Sequence, residues 1–290
     1  MNTVQLDDDV WGDDSNFVAG KAVHIVDGGA LSWSYGLIDP LAWEAVKSTY
    51  SRATICLDSP WSARQEAFPD YKSRRADRRA SDPRVAERRE QARDFKDKIA
   101  ADEQLFCWEK EGWEADDLVA ILYLEARSMG ESTRVYAVDK DLVQLPGIHR
   151  CLYNFDASER DIDLFQTPRK QPKFWGGTRD NRDVLLFQLC FGDKTDSIPR
   201  LLAHLDFGTV HNLKKVENPF WTAYQKWGQP VIDSLLQLVM PSPILHRSWE
   251  TLKDNPEVFL FQLDSTLYWS HHNFSHHIPA QVLPRLSTRA

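Results

Sequence analysis

The chain has 290 residues, with 35 Lys plus Arg against 43 Asp plus Glu, and a formal net charge of −8. At 42% hydrophobic and 27% charged residues it has an ordinary globular composition, long enough for one large domain or two small ones, which excludes fibrous and disordered classes. The negative balance excludes a wholly basic nucleic-acid coat but leaves room for a local basic patch.

The opening is acidic (Asp7, Asp8, Asp9, Asp13, Asp14) and reads as a loose lead-in over residues 1–20, unlike a secretory signal. Residues 22–27 form a short β-branched apolar run ending in Asp27 and the turn pair Gly28–Gly29. Residues 53–58 repeat the form and end in Asp58; residues 133–139 repeat it again and end in Asp139. Three buried-type strands, each with a carboxylate at its carboxyl end, alternate with helix-like segments over about 40–52 and 116–129, the latter stopped by Gly130. That alternation predicts an α/β domain with a mostly parallel sheet flanked by helices, whose ligands gather at the strands' carboxyl ends. Between the second and third strands, residues 72–98 hold eleven basic residues against six acidic ones. Lys72, Arg74, Arg75, Arg78 and Arg79 come first, opposed only by Asp77 and preceded by Tyr71; from about Arg84 the segment becomes helical in pattern. A charge run is often a solvated helix face, but a ring beside a phosphate-binding cluster is what single-stranded nucleic acid favours.

Further on, an apolar helix-like stretch over 182–191 leads into a turn, 192–199, carrying Asp193 and Asp196. Phe and Trp are plentiful over 220–275 and read as core or a docking surface, while His271, His272, His276 and His277 read as a tail or packing contact. Cys56, Cys107, Cys151 and Cys190 stand 51, 44 and 39 residues apart without zinc-ligand spacing, as expected of buried thiols in a reduced cytosolic protein. No apolar run approaches the ~18 residues of a membrane helix, so no membrane association is expected, and nucleotide-cradling glycine motifs are absent.

Nine acids stand at element ends: Asp27, Asp58, Glu114, Asp116, Asp117, Asp139, Asp141, Asp193 and Asp196. Singly, each has an ordinary structural use in a helix's first turn, an Asx-turn or a cap. Gathered at one rim they would repel, since like charges ~4 Å apart cost about 4 kcal/mol at an effective dielectric near 20. Hard divalent cations remove that cost, and two of them ~3.5–4 Å apart suit in-line phosphodiester hydrolysis. With a basic segment to attract substrate, the combination points to a metal-dependent nuclease.

These residues resemble the flap endonucleases and 5′–3′ exonucleases, a family that includes the exonuclease domain of bacterial DNA polymerase I and stand-alone phage 5′ nucleases. The matching text comprises Val26-Asp27-Gly28, Leu57-Asp58, residues 63–66, residues 71–75, residues 114–117, residues 139–145 and residues 192–199. The resemblance implies a PIN-like core over residues 21–240. It places a basic helical arch at about 71–104, a helix–three-turn–helix region at about 183–216, and an extension of unassigned role at 241–290. It further implies that Asp27, Asp58, Glu114, Asp116 and Asp117 serve a first Mg²⁺, Asp139 and Asp141 lie between two ions, and Asp193 and Asp196 serve the second, with Mn²⁺ able to substitute. Lys72 and Arg75 would contact the scissile phosphate, and Tyr71 would stack on a base. Arg64 would position the 5′ strand, with Arg74, Arg78, Arg79, Lys214 and Lys215 as further DNA contacts. The glycine-containing hairpin that the family shows after the Gly-Asp turn is reduced here to Gly208. The implied substrate is DNA with a 5′ end or 5′ flap, or an RNA–DNA hybrid, cleaved to leave 5′-phosphates during replication, repair or degradation. With no polymerase sequence following, the expectation is a stand-alone cytoplasmic nuclease (host cytoplasm if phage-encoded). A catalytically weak structure-specific DNA binder and a PIN-type ribonuclease are the alternatives.

Overall fold

The computed structural model describes residues 22–35, 47, 53–137, 140–145, 150–152, 161–163, 181–203, 206–264 and 274–287. The three apolar runs form strands β1 (Val23–Asp27), β2 (Thr54–Leu57) and β4 (Thr133–Tyr136), joined by β3 (Phe106–Glu109), β5 (Arg150–Leu152) and β6 (Asp161–Asp163). The sheet order is β3-β2-β1-β4-β5-β6, parallel except for the antiparallel β5–β6 pair. Chain order reverses across β1 and β4, so the carboxyl ends of these central strands form the crevice where α/β sheets bind ligands. Asp27 is the last residue of β1 and stands at that crevice.

Both faces of the sheet are apolar because side chains alternate along each strand. Val23, Ile25, Cys56 and Val135 face one core cluster; Val26, Ile55, Leu57 and Tyr136 face another. The second cluster is closed by Leu31 of α1 (Gly28–Tyr35) and by Phe95 and Ile99 of α4 (Pro83–Ala101). On the first face lies α5 (Ala115–Ser128), buried along nearly its whole length. Its end matches the sequence signal: Gly130 takes φ +75°, its N–H donates to Arg127 O, and Glu131 N–H donates to Ala126 O, a Schellman arrangement that satisfies the last carbonyls. The helix expected over 40–52 lies outside the described residues except for Lys47.

Two short helices precede α4: α2 (Ala63–Ala67) and α3 (Ser73–Ser81). The basic cluster is therefore helical earlier than its composition suggested. Asp82 separates α3 from α4, accepting Arg84 N–H at 3.1 Å as the cap while Pro83 fills the first helical position. After the sheet come α6 (Asn181–Phe191) and α7 (Phe207–Leu213), then α8 (Pro219–Trp227), α9 (Gln229–Leu238), α10 (Ser242–Leu252) and α11 (Pro256–Asp264). Phe220, Leu235, Leu245, Phe259 and Leu286 share one apolar cluster with α5. The Trp- and Phe-rich region thus closes the core, and the described part of 241–290 is built into it. Cys56 and Cys190 are buried thiols, whereas Cys107 is only half-buried. His277 packs against Trp113 (5.7 Å between centroids), while His271 and His272 lie outside the described residues.

Candidate metal centre and nucleic-acid interface

Backbone turns aim the acids. Asp27 Oδ1 accepts the N–H groups of Gly29 (2.8 Å) and Ala30 (3.2 Å), capping α1. Gly28 has no alternative here: a Cβ would lie 2.4 Å from Leu57 Cδ2 and 2.8 Å from Cys56 O. A Cβ on Gly29 would lie 3.1 Å from Asp27 Oδ1 and 3.6 Å from Asp58 Oδ2, so both carboxylates face the same point above the helix start. Asp58 is exposed and accepts Ala115 N–H at 2.8 Å, which ties the end of β2 to the start of α5 and to Asp116 in its first turn. Lys96 of α4 donates to Asp58 O and pairs with Glu109, anchoring the basic hairpin to the same rim.

A second group forms where two distant turns meet. Asp141 opens a 3-10 turn (Lys140–Gln144), and Asp193 and Asp196 lie in the loop after α6. One ligand atom from each of Asp141, Asp193 and Asp196 lies within 4.8 Å of the others. The loop is rigidly made: Asp193 and Ile198 exchange both backbone hydrogen bonds, and Asp193 Oδ1 accepts Thr195 N–H at 2.7 Å. Gly192 takes φ +65°, and a Cβ there would lie 2.5 Å from Ile198 O. Hard oxygen donors at this spacing suit a hydrated divalent cation. The residues fit one further: Gln188 Nε2 donates to Asp141 Oδ1 at 2.6 Å, while its buried Oε1 has no hydrogen-bond partner.

Lys72 stands between the two groups. It takes a left-handed backbone (φ +58°), its N–H donates to Asp196 O at 2.8 Å, and its Nζ lies 3.0 Å from Glu114 Oε2. Burial alone would lower its pKa, yet the oxygens of Tyr71, Glu114, Asp196 and Asp116 raise it, so the ammonium stays charged. Arg75, one turn into α3, pairs with Asp196. The acids of this rim are thus partly balanced by the protein's own cations, which differs from a rim that only metal could stabilise.

Four residues of the expected site make their contacts inside the protein. Arg64, expected to position the 5′ strand, is 3% exposed and donates to Glu114 Oε2 (2.5 Å) and Asp117 Oδ1 (2.6 Å). Tyr71 offers no free face for stacking, being 3% exposed with its hydroxyl donating to Glu114 (3.1 Å) and Lys72 Nζ 4.9 Å from its ring. Glu114 and Asp117, expected at the first metal, are committed within the protein. Asp117 Oδ1 also accepts Ser242 N–H (2.8 Å), and Oδ2 accepts Glu114 N–H (3.3 Å). Burial pushes Asp117 up to about 6 against Arg64's pull. Burial also opposes ionisation of Glu114, but Arg64 and Lys72 outweigh it and hold that carboxyl down to about 2. Both acids are ionised at neutral pH and buttress the first turn of α5, which presents Asp116.

Of the remaining predicted residues, Arg74 and Lys215 are exposed, and Lys214 pairs with Asp183. Asp139 and the side chains of Arg78 and Arg79 lie outside the described residues. Sequence reasoning missed Gln188, Gln144 and Trp61. Gln144 bridges Leu238 O and Met240 N–H, each at 3.0 Å, and so holds the Asp141 turn against the loop before α10. Trp61 is 44% exposed, rests on Gly112, and sits three residues beyond Asp58. Nothing in the linear text marks these residues, because their partners come from 45 or more positions away.

An acid-rimmed, mostly parallel sheet with a basic helical lip defines a PIN-like, resolvase-like α/β domain. Residues 16–170 match the family model of the 5′-3′ exonuclease N-terminal resolvase-like domain, and the chain belongs to that family. It is 28% identical over 165 residues to DNA polymerase I of Bacillus caldotenax, a match covering 52% of this chain and 17% of that protein's length. Among solved structures, the bacteriophage T5 D15 flap endonuclease in a complex with DNA and metal ions is 14% identical with TM-score 0.57, covering 86% of this chain and 99% of the other. The T5 5′-exonuclease with bound zinc is 16% identical with TM-score 0.54, covering 83% and 97% respectively. These structural likenesses concern the fold. Among the described residues, no helix is long and apolar enough to cross a membrane.

Proposed function

We propose that the protein is a divalent-metal-dependent 5′ nuclease that hydrolyses DNA, or the DNA and RNA strands of a hybrid, from a 5′ end or at a 5′ flap, leaving 5′-phosphates. The observation that carries this is the convergence of Asp141, Asp193 and Asp196 on one point beside the Lys72–Arg75 pair. In this reading Asp141, Asp193 and Asp196 hold one Mg²⁺, and Asp27, Asp58 and Asp116 hold a second. Bound there, the ions would supply an activated water and stabilise the leaving oxygen. Lys72, beside Glu114 and Asp196, and Arg75, beside Asp196, would contact the non-bridging oxygens of the scissile phosphate. The positive surface of α3 and α4 attracts the 5′ strand, with Arg74 exposed on it. Trp61, held on a Gly112 backbone that itself bonds Ala63 N–H at 3.0 Å, is placed to stack on a base in Tyr71's stead. A role in replication, repair or degradation, in the cytoplasm, is part of the same proposal.

The test is cleavage of a 5′-flap duplex labelled at either end, with Mg²⁺, Mn²⁺ or EDTA. Metal-dependent release of 5′-phosphorylated fragments from the flap strand is expected. No cleavage at high enzyme concentration with Mn²⁺ would leave a DNA-binding protein, and preference for single-stranded RNA would mark a ribonuclease.

A further inference from the structure

Gln188 is 2% exposed and sits on α6, the helix that delivers Asp193 and Asp196. Its amide is oriented without ambiguity, because only the Nε2 end can donate to the Asp141 carboxylate at 2.6 Å. The other end, Oε1, is then an acceptor buried at the same cluster with no protein donor. An unsatisfied buried acceptor is costly, so its retention on a side chain bonded to Asp141 calls for a donor that arrives from outside. Carboxylates cannot donate, and no Arg or Lys bonds it among the described residues. Water held on a divalent cation is such a donor, and Mg²⁺ in particular keeps several waters when it binds proteins.

We propose that Gln188 is a positioning residue of the Asp141–Asp193–Asp196 cation site. Its Nε2 fixes the rotamer of the Asp141 carboxylate, and its Oε1 receives a hydrogen bond from a water on the ion. This rests on the cation that the nuclease reading places there, but it concerns binding, not cleavage. A cation that retains its water depends most on an outer-sphere acceptor, so Gln188 also favours Mg²⁺ over ions that shed water readily.

The test is calorimetric titration of Mg²⁺ and Mn²⁺ into the full chain without nucleic acid, for the wild type, Gln188→Met, Asp141→Asn and the double variant. Gln188→Met keeps the volume but removes both polar ends. It is expected to weaken Mg²⁺ about 10- to 100-fold, the usual effect of losing an outer-shell partner, and Mn²⁺ less. In the Asp141→Asn background the same change should cost less than in the wild type, because the orienting half of the role is already lost and only the water acceptor remains to be removed. Mg²⁺ affinity of Gln188→Met within about twofold of wild type, or an equal loss in both backgrounds, overturns the proposal. Should Gln188→Met not fold, Gln188→Glu serves: its melting temperature in EDTA should fall through repulsion with Asp141 and recover with Mg²⁺, and absence of that recovery also overturns it. The two readings fail separately. A wild type that binds Mg²⁺ but cleaves nothing defeats the nuclease function alone, whereas unchanged binding by Gln188→Met in an active nuclease defeats this inference alone.

Discussion

Replacing Arg64 by Met keeps an unbranched apolar side chain but leaves two buried carboxylates facing the gap. Glu114 retains Lys72 at 3.0 Å, and Asp117 retains the Ser242 and Glu114 N–H groups. The loss is therefore that of one broken buried ion pair, about 3–5 kcal/mol, rather than two. That is a large part of a domain's usual margin of roughly 5–15 kcal/mol. The sign of its pH dependence follows from Asp117, whose folded carboxyl already lies at about 6 against an ordinary 3.8. Without the guanidinium it rises further, so the folded state takes up a proton that the unfolded state refuses. Stability of Arg64→Met should then increase as the pH is lowered from 7.5 to 5, narrowing the deficit. Adding Asp117→Asn removes the stranded charge and should restore about 1 kcal/mol or more. Urea unfolding of the three proteins at pH 7.5 and 5 measures all of this. A deficit below about 1 kcal/mol that ignores pH, and a double variant no more stable than the single, would refute the buried triad as a structural strut.

Four other outcomes are expected. Glu114, held at about 2 against an ordinary 4.5, contributes stability that is fully present above pH 4.5 and lost as pH falls through 2; the shift corresponds to about 3 kcal/mol, so acid titrations of unfolding should show a shallower acid limb for Glu114→Gln than for wild type. Lys72→Ala should lower single-turnover cleavage about 100-fold or more while duplex affinity, read by fluorescence anisotropy, changes little; it should also melt lower, because a residue with a Cβ other than the native one gains nothing at φ +58° while the Glu114 pair is lost. Asp141→Asn should abolish cleavage yet leave the metal-free melting temperature equal or higher, since it relieves like-charge repulsion within the 4.8 Å cluster; a cleaving variant would remove Asp141 from the site. Gly192→Ala should cost about 2 kcal/mol or more by chemical unfolding, as φ +65° and a 2.5 Å approach to Ile198 O leave no room for Cβ.

The linear text carried the strands and their order of use. Alternation of β-branched apolar runs with turns located β1, β2 and β4, and apolar periodicity with Gly130 located α5, because both signals are local consequences of burial on a sheet or helix face. It also located Asp27 at its strand end and the Asp193–Asp196 turn, whose Gly192 and Ile198 lie within a few residues. What it could not reach was the division of labour among the acids. Arg64, Glu114, Asp117 and Ser242 span 179 positions, and whether Glu114 and Asp117 face an ion or a guanidinium depends on which side chain folding brings within 3 Å. The same holds for Tyr71, whose ring is used inside the protein, and for Gln188, an unremarked polar residue until α6 lays it against Asp141. Local geometry is written in neighbouring residues; charge compensation is settled by distance in three dimensions, where a few ångströms decide whether a carboxylate supports the fold or waits for a cation.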